Sequence, residues 1–204
     1  MKKTVATMHL DGGCLCLNFT NTIHSRTETP ISDYLNSYED MIIFADRTKI
    51  LSKKQQETLR RYAAKYPDKA AKAFKKIKRV REELFVLFAA LAGDKKPSEQ
   101  AISRFNKTWP EAFSHLAVHY RSGMMQLSWK EEQDSLLLPL WMCIKSAYDL
   151  LFEVSADRIK ACPACLWLFV DKTKNNKRRW CNSLTCGSVD KASRYYHRKK
   201  QQRQ

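Results

Sequence analysis

The sequence predicts a mainly α-helical protein with one β-hairpin, ending in a small treble-clef-like zinc finger built from a second β-hairpin and a helix. Three observations predict it. Apolar residues recur at helical spacing over most of residues 1–157. One stretch alternates strictly around a glycine turn near residue 123. Four cysteines near the end are spaced C-x2-C-x15-C-x4-C. Of 204 residues, 44% are apolar and 28% charged, with 5 Gly and 6 Pro. That balance excludes collagen-like, linker-like and low-complexity chains.

In chain order, Met8 to Ser25 mixes periods. Leu15, Leu17 and Phe19 alternate, while Leu15, Phe19 and Ile23 recur at helical spacing, which favours a helix after the Gly12-Gly13 turn. Asn36 to Lys49 reads as a helix. Ser52 is an N-cap for Lys53 to Tyr66, and Pro67 fits the first turn of a helix running to about Ala92. Ala70, Phe74, Ile77, Arg81, Leu84, Leu87 and Leu91 trace one face of it, and Gly93 ends it. Pro97-Ser98 opens a helix from Glu99 to about Trp109. His115 to Tyr120 and Met124 to Lys130 flank Arg121-Ser122-Gly123 as a hairpin. A last helix of this part, about Ser135 to Asp157, is apolar nearly all round, as a central helix is. Pro139 belongs in its first turn, since deeper inside it would cost about 3 kcal/mol.

Charge divides the chain. Residues 1–157 hold 24 Lys+Arg and 19 Asp+Glu, net +5, whereas residues 158–204 hold 13 and 2, net +11. This places a boundary near 157–160, between a mainly helical domain (1–157) and a basic C-terminal module (158–204). The total of +16 calls for a polyanionic partner. The longest apolar run, Leu136 to Ile144, includes Pro139 and is too short to span a bilayer, so the chain reads as a cytoplasmic protein without a membrane partner. There clustered cysteines hold metal rather than form disulfides.

The cluster is Cys162, Cys165, Cys181 and Cys186. Two thiolates on a two-residue knuckle reach one Zn²⁺ at about 2.3 Å, and a second pair returned by a hairpin completes a tetrahedron. The expected hairpin joins Leu168–Asp171 to Arg178–Trp180, and the expected helix follows Ser188 as N-cap. Four cysteine ligands leave no open position, so the zinc is structural. It supplies about 10–16 kcal/mol of folding free energy to a module with little core.

Cys162-Pro-Ala-Cys165-Leu-Trp-Leu-Phe169-Val-Asp171, then Arg178-Arg179-Trp180-Cys181, Cys186-Gly187, Lys191 and Arg194 resemble the CGNR zinc finger. Leu15-Cys-Leu17-Asn18-Phe19-Thr-Asn21-Thr22 resembles the opening of the ABATE domain, which the finger usually follows in bacterial stress-induced transcription regulators. The resemblance implies DNA binding and regulation. The finger's Cys-Gly-Asn-Arg reads Cys186-Gly187-Ser188-Val189 here, so the ligand stays while the Asn and Arg are absent.

The nucleic-acid-binding candidates are Lys172, Lys174, Lys177, Arg178 and Arg179 in the hairpin, with Lys191, Arg194, Arg198, Lys199 and Lys200 on the final helix. Phosphate contacts position a protein and base-edge contacts specify sequence, so this set accounts for affinity rather than specificity. DNA is the favoured partner. Trp180, Tyr195 and Tyr196 keep RNA or single strands open, and a protein-binding adaptor is the alternative. Asn18, Asn21 and Thr22, polar within an apolar motif, are candidates to face a small-molecule ligand; a protein signal and a homodimer also stay open. The five histidines form no HExxH, and the sequence contains no GxSxG or phosphate-loop motif, so no enzyme is expected.

Overall fold

The computed structural model describes residues 4–130 and 135–201, apart from the side chains at 193–195, 197, 198, 200 and 201. The elements are α1 (Leu15–Thr20), α2 (Tyr38–Arg47), α3 (Lys53–Lys65), α4 (Pro67–Ala92), α5 (Glu99–Ser114), β1 (Leu116–Arg121), β2 (Met124–Trp129), α6 (Leu138–Glu153), β3 (Ile159–Ala161), β4 (Leu168–Val170) and α7 (Cys186–Gln201). No helix among the described residues is long and apolar enough to cross a membrane.

Local chemistry sets the helix starts. Ser37 and Ser52 form capping boxes with Asp40 and Gln55, which satisfies orphan first-turn amides at α2 and α3. Pro67 and Pro139 sit in the first turns of α4 and α6, where a missing N–H costs nothing. At the end of α4 the left-handed residue is Asp94, at φ 52°, rather than Gly93, at φ −93°. The expected end of a helix at Trp109 is corrected: α5 runs through Pro110 to Ser114. Pro110 is exposed, so solvent can take the carbonyl its missing N–H leaves. Trp109 and Phe113 pack on Tyr148 of α6 at 5.4 and 4.8 Å and hold the helix on both sides of the proline. β1 and β2 pair from Leu116↔Trp129 to Arg121↔Met124. Ser122 (φ 52°) and Gly123 (φ 81°) both take the left-handed conformation that a two-residue hairpin turn requires. Val118, Tyr120, Met125 and Leu127 lie on the exposed face of this hairpin.

The long helix α4 is the spine. Its buried Ile77, Leu84 and Phe88 meet Leu17 and Phe19 of α1, Ile42 and Phe44 of α2, and Leu140, Trp141 and Ile144 of α6 in one core. Arg81, on the same face, is buried because it is fully used. It donates to Asp33 Oδ1 and Oδ2 at 2.7 and 2.9 Å, to Thr22 Oγ1 at 3.1 Å and to Glu82 at 2.8 Å. Lys78 adds a second cation 2.8 Å from Asp33.

The core continues past residue 157. Ile159, Leu168, Phe169 and Val170 of the C-terminal hairpin belong to it. Main-chain and side-chain bonds seal the seam. Asn21 Nδ2 donates to the Leu168 carbonyl at 2.8 Å, and the Leu168 N–H donates to Asn21 Oδ1 at 2.9 Å. Trp167 Nε1 donates to the Ile23 carbonyl at 2.7 Å, and Val170 N–H donates to the Gly12 carbonyl at 3.0 Å.

Two outcomes follow. Burial raises the Asp33 carboxyl, but hydrogen bonds and charge from Arg81, then Lys78, outweigh it and hold Asp33 below the usual carboxylate range. Its stabilisation is therefore complete above about pH 4 and is lost as pH falls through the lower folded value. Urea midpoints measured against pH will drop on the acid side, and Asp33→Asn will be less stable at neutral pH with a shallower acid decline. Asn21→Ala leaves the buried Leu168 amide and carbonyl unpaired and will lower the unfolding free energy by about 2–4 kcal/mol in equilibrium denaturation.

Candidate metal centre and basic face

The C-terminal hairpin is not the one expected from the sequence. β4 pairs antiparallel with β3, Ile159↔Val170 to Ala161↔Leu168, and Arg178–Trp180 is not a strand. The knuckle Cys162-Pro163-Ala164-Cys165 is thus the tip of the β3–β4 hairpin. Leu166 N–H donates to the Cys162 carbonyl at 2.8 Å, and Leu166 takes φ 60° to turn the chain back. The segment after β4 is instead organised by Asp171, which is fully buried. Its Oδ1 accepts from the Thr173 N–H and hydroxyl at 2.9 and 2.6 Å, and its Oδ2 from Lys160 Nζ and Arg178 N–H at 2.8 and 2.7 Å. Four donors explain why its carboxyl is held far below the usual range despite the burial that opposes it.

This loop returns Cys181 to the knuckle, and α7 supplies Cys186 from its first turn. Ser188 lies inside that helix rather than capping it; the helix starts two residues earlier. Asn182 shapes the approach, its Oδ1 accepting from Leu184 and Thr185 amides at 2.9 and 3.2 Å. A helix start favours an anionic thiolate there. Gly187 sits close beside it: a Cβ at that position would lie 3.2 Å from the Trp180 ring, a tight contact.

The four Sγ atoms lie within 4.8 Å of one another. Cys165–Cys181 and Cys181–Cys186 are 3.6 Å apart, and Cys165–Cys186 is 3.7 Å. A zinc tetrahedron with Zn–S of about 2.3 Å has an edge of about 3.8 Å, so the donor set fits one Zn²⁺ with four sulfur ligands. The electrostatics agree. Hydrogen bonds from Cys165 and Cys181 draw the Cys162 thiol down, while bonds with Cys162 and Cys165, burial and the neighbouring charges push Cys181 up. Without a cation one sulfur ionises at the expense of the others; a divalent cation lets all four ionise. The centre is that of one structural zinc ion.

Among the basic candidates, Lys172, Lys174, Lys177, Arg179, Lys191 and Lys199 are exposed. Arg179 lies 4.8 Å over the Trp180 ring. Arg194, Arg198 and Lys200 are carried on α7, but their side chains are outside the described ones. Arg178 departs from expectation. Its guanidinium donates to the carbonyls of Trp180 and Cys181 and stacks 4.6 Å from Phe169, so it supports the metal loop instead of presenting to a partner. A groove of about 720 Å³ runs along this loop between Lys174, Lys177, Arg179 and Leu184. Asn18, Asn21 and Thr22, polar residues that could face a ligand but more often bond the backbone, do the latter. Asn18 Oδ1 accepts from Gly12 N–H at 2.8 Å, Asn21 clamps Leu168, and Thr22 donates to the Phe19 carbonyl while accepting from Arg81. They are backbone-binding residues because the irregular chain around α1 has few partners of its own. Lys160 and Arg158, the latter donating to the Asp171 and Thr173 carbonyls at 3.1 and 2.7 Å, had no separate signal in the sequence.

The fold and the centre define a zinc-finger protein, a helical body carrying a metal-closed basic module. Residues 13–153 match the ABATE family, described as "Putative stress-induced transcription regulator", and residues 158–199 match the CGNR zinc finger. The chain belongs to the ABATE family. No curated protein matches it.

Metal analysis of the folded full chain will find one zinc per chain. Cys181→Ser will abolish stoichiometric binding. Because Leu168, Phe169 and Val170 sit in the common core, chelation will lower the thermal midpoint of the whole chain rather than melt a separate tail.

Proposed function

We propose that this protein is a transcription regulator without catalytic activity, and that it binds DNA through the basic face of its zinc finger. The observation that carries the reading is how the module uses its charges. Of its two acidic residues, Asp171 is buried and saturated, whereas Lys172, Lys174, Lys177, Arg179 and Lys191 remain exposed. The metal loop and α7 therefore present a cationic surface on a scaffold that the zinc holds in shape. The family description supports the regulatory part. Such a face binds phosphates and sets affinity and position.

One observation favours a second reading, a protein-binding adaptor. Val189 stands where the family motif has Arg and is 66% exposed, and Leu184 nearby is 84% exposed. These apolar tips suit a protein surface better than a phosphate backbone.

Fluorescence anisotropy of labelled duplex DNA against the zinc-loaded full chain separates the two. With about five phosphates neutralised, log K falls against log salt with a slope near −4.5. Lys177→Ala and Arg179→Ala each reduce that slope by about 1. Chelation abolishes binding. No DNA binding at low salt, or a slope near zero, overturns the DNA reading and leaves the adaptor.

A further inference from the structure

Three cysteines lie outside the zinc centre: Cys14, Cys16 and Cys143. Cys14 is the N-cap of α1 and partly exposed; Cys16, in the first turn, is fully buried. Their Sγ atoms are 3.5 Å apart. Cys143 is buried on the neighbouring α6. The first two thiols sit in opposite settings. The Cys16 thiol, then the Leu17 amide and the Lys172 cation, draw Cys14 below the usual thiol range against its burial. Burial, reinforced by Cys14, pushes Cys16 well above it. The pair thus sets a partly exposed cysteine whose thiol ionises more readily than usual 3.5 Å from a fully buried thiol whose ionisation is suppressed, the arrangement of an attacking and a resolving cysteine.

We propose that Cys14 and Cys16 form a reversible redox site whose oxidant is a hydroperoxide. The Cys14 thiolate attacks the peroxide: an S–O bond forms, the O–O bond breaks, and hydroxide or alkoxide leaves and takes a proton from solvent. The Cys16 sulfur then attacks the sulfenic sulfur: the S–S bond forms, the S–O bond breaks, and water leaves with the Cys16 proton. Two thiols are oxidised by two electrons, and the peroxide is reduced by two. A shift of 3.5 Å to a bond of about 2.05 Å turns the first turn of α1. That turn is tied to the finger. The Gly12 carbonyl accepts from Val170 N–H of β4 at 3.0 Å, and Gly12 N–H donates to Asn18 Oδ1 of α1 at 2.8 Å. Oxidation therefore pulls on the strand that follows the zinc knuckle.

The test treats zinc-loaded full chain with stoichiometric hydrogen peroxide, alkylates it in denaturant and maps the peptides by mass spectrometry. The peptide holding Cys14 and Cys16 is expected to lose two hydrogens, escape alkylation and recover both thiols on reduction, with zinc retained. Cys14→Ser abolishes the link, and Cys143→Ser leaves it intact. In the oxidised chain the Val170 amide exchanges about tenfold faster with deuterium. Full alkylation of both cysteines, a Cys14–Cys143 link, or zinc loss before the pair oxidises overturns the site, and unchanged Val170 exchange overturns its coupling to the finger. None of these readouts involves DNA, so they stand or fall apart from the proposed function.

Discussion

Four sulfurs crowded within 4.8 Å at Cys162, Cys165, Cys181 and Cys186 would repel one another as anions, so all four can be thiolates together only around a divalent cation, and the geometry fits one. That constraint reaches beyond the sulfurs. The knuckle fixes the tip of the β3–β4 hairpin, the second pair fixes the loop that Asp171 organises, and Cys186 fixes the start of α7. Each exposed lysine of the module is positioned by a backbone whose closure depends on the metal.

The finger is also not a self-contained bead on the helical domain. A module of two three-residue strands and one helix buries little of its own, and this one borrows the core of its neighbour through Ile159, Leu168, Phe169 and Val170. The polar cost of that seam is met by Asn21, whose side-chain amide pairs with both backbone groups of Leu168 as an adjoining strand would. Metal binding and the packing of α1 are thereby linked, since Asn21 follows directly on α1.

What was legible in the sequence depended on how local its cause was. The Ser52 cap, the first-turn prolines Pro67 and Pro139 and the Ser122-Gly123 turn act within a few residues, and the corresponding elements lie where the pattern put them, whereas Ser188 fell inside α7. The zinc ligands were legible because thiolate chemistry leaves spacing as its trace. The misreadings at Pro110 and at the Leu168–Val170 strand share one origin, in partners supplied by other elements. The helix through Pro110 is held by Tyr148, and the Leu168–Val170 strand pairs upstream with Ile159–Ala161 instead of downstream. Arg178 resembles its basic neighbours in sequence and differs only because the Trp180 and Cys181 carbonyls and the Phe169 ring lie within its reach. Asn18, Asn21 and Thr22 were correctly marked as unusual; a buried amide facing a distant backbone group and one facing a ligand look alike along a single chain.

The same distinction separates the residues of Cys186-Gly187-Ser188-Val189. Cys186 belongs to the metal centre, and Gly187 packs where a Cβ would lie 3.2 Å from the Trp180 ring, so both answer to the local fold. Ser188 and Val189 are exposed on the outer side of α7, and Val189 makes no packing demand. Ser188 donates to the Ser183 carbonyl at 3.4 Å, while the valine at 189 changes what the helix presents to solvent. An arginine at 189 would add a long, permanently charged donor beside Lys191; a valine withdraws it and exposes an apolar tip. If the finger binds DNA as proposed, the cations of the metal loop carry the phosphate contacts that position 189 does not supply.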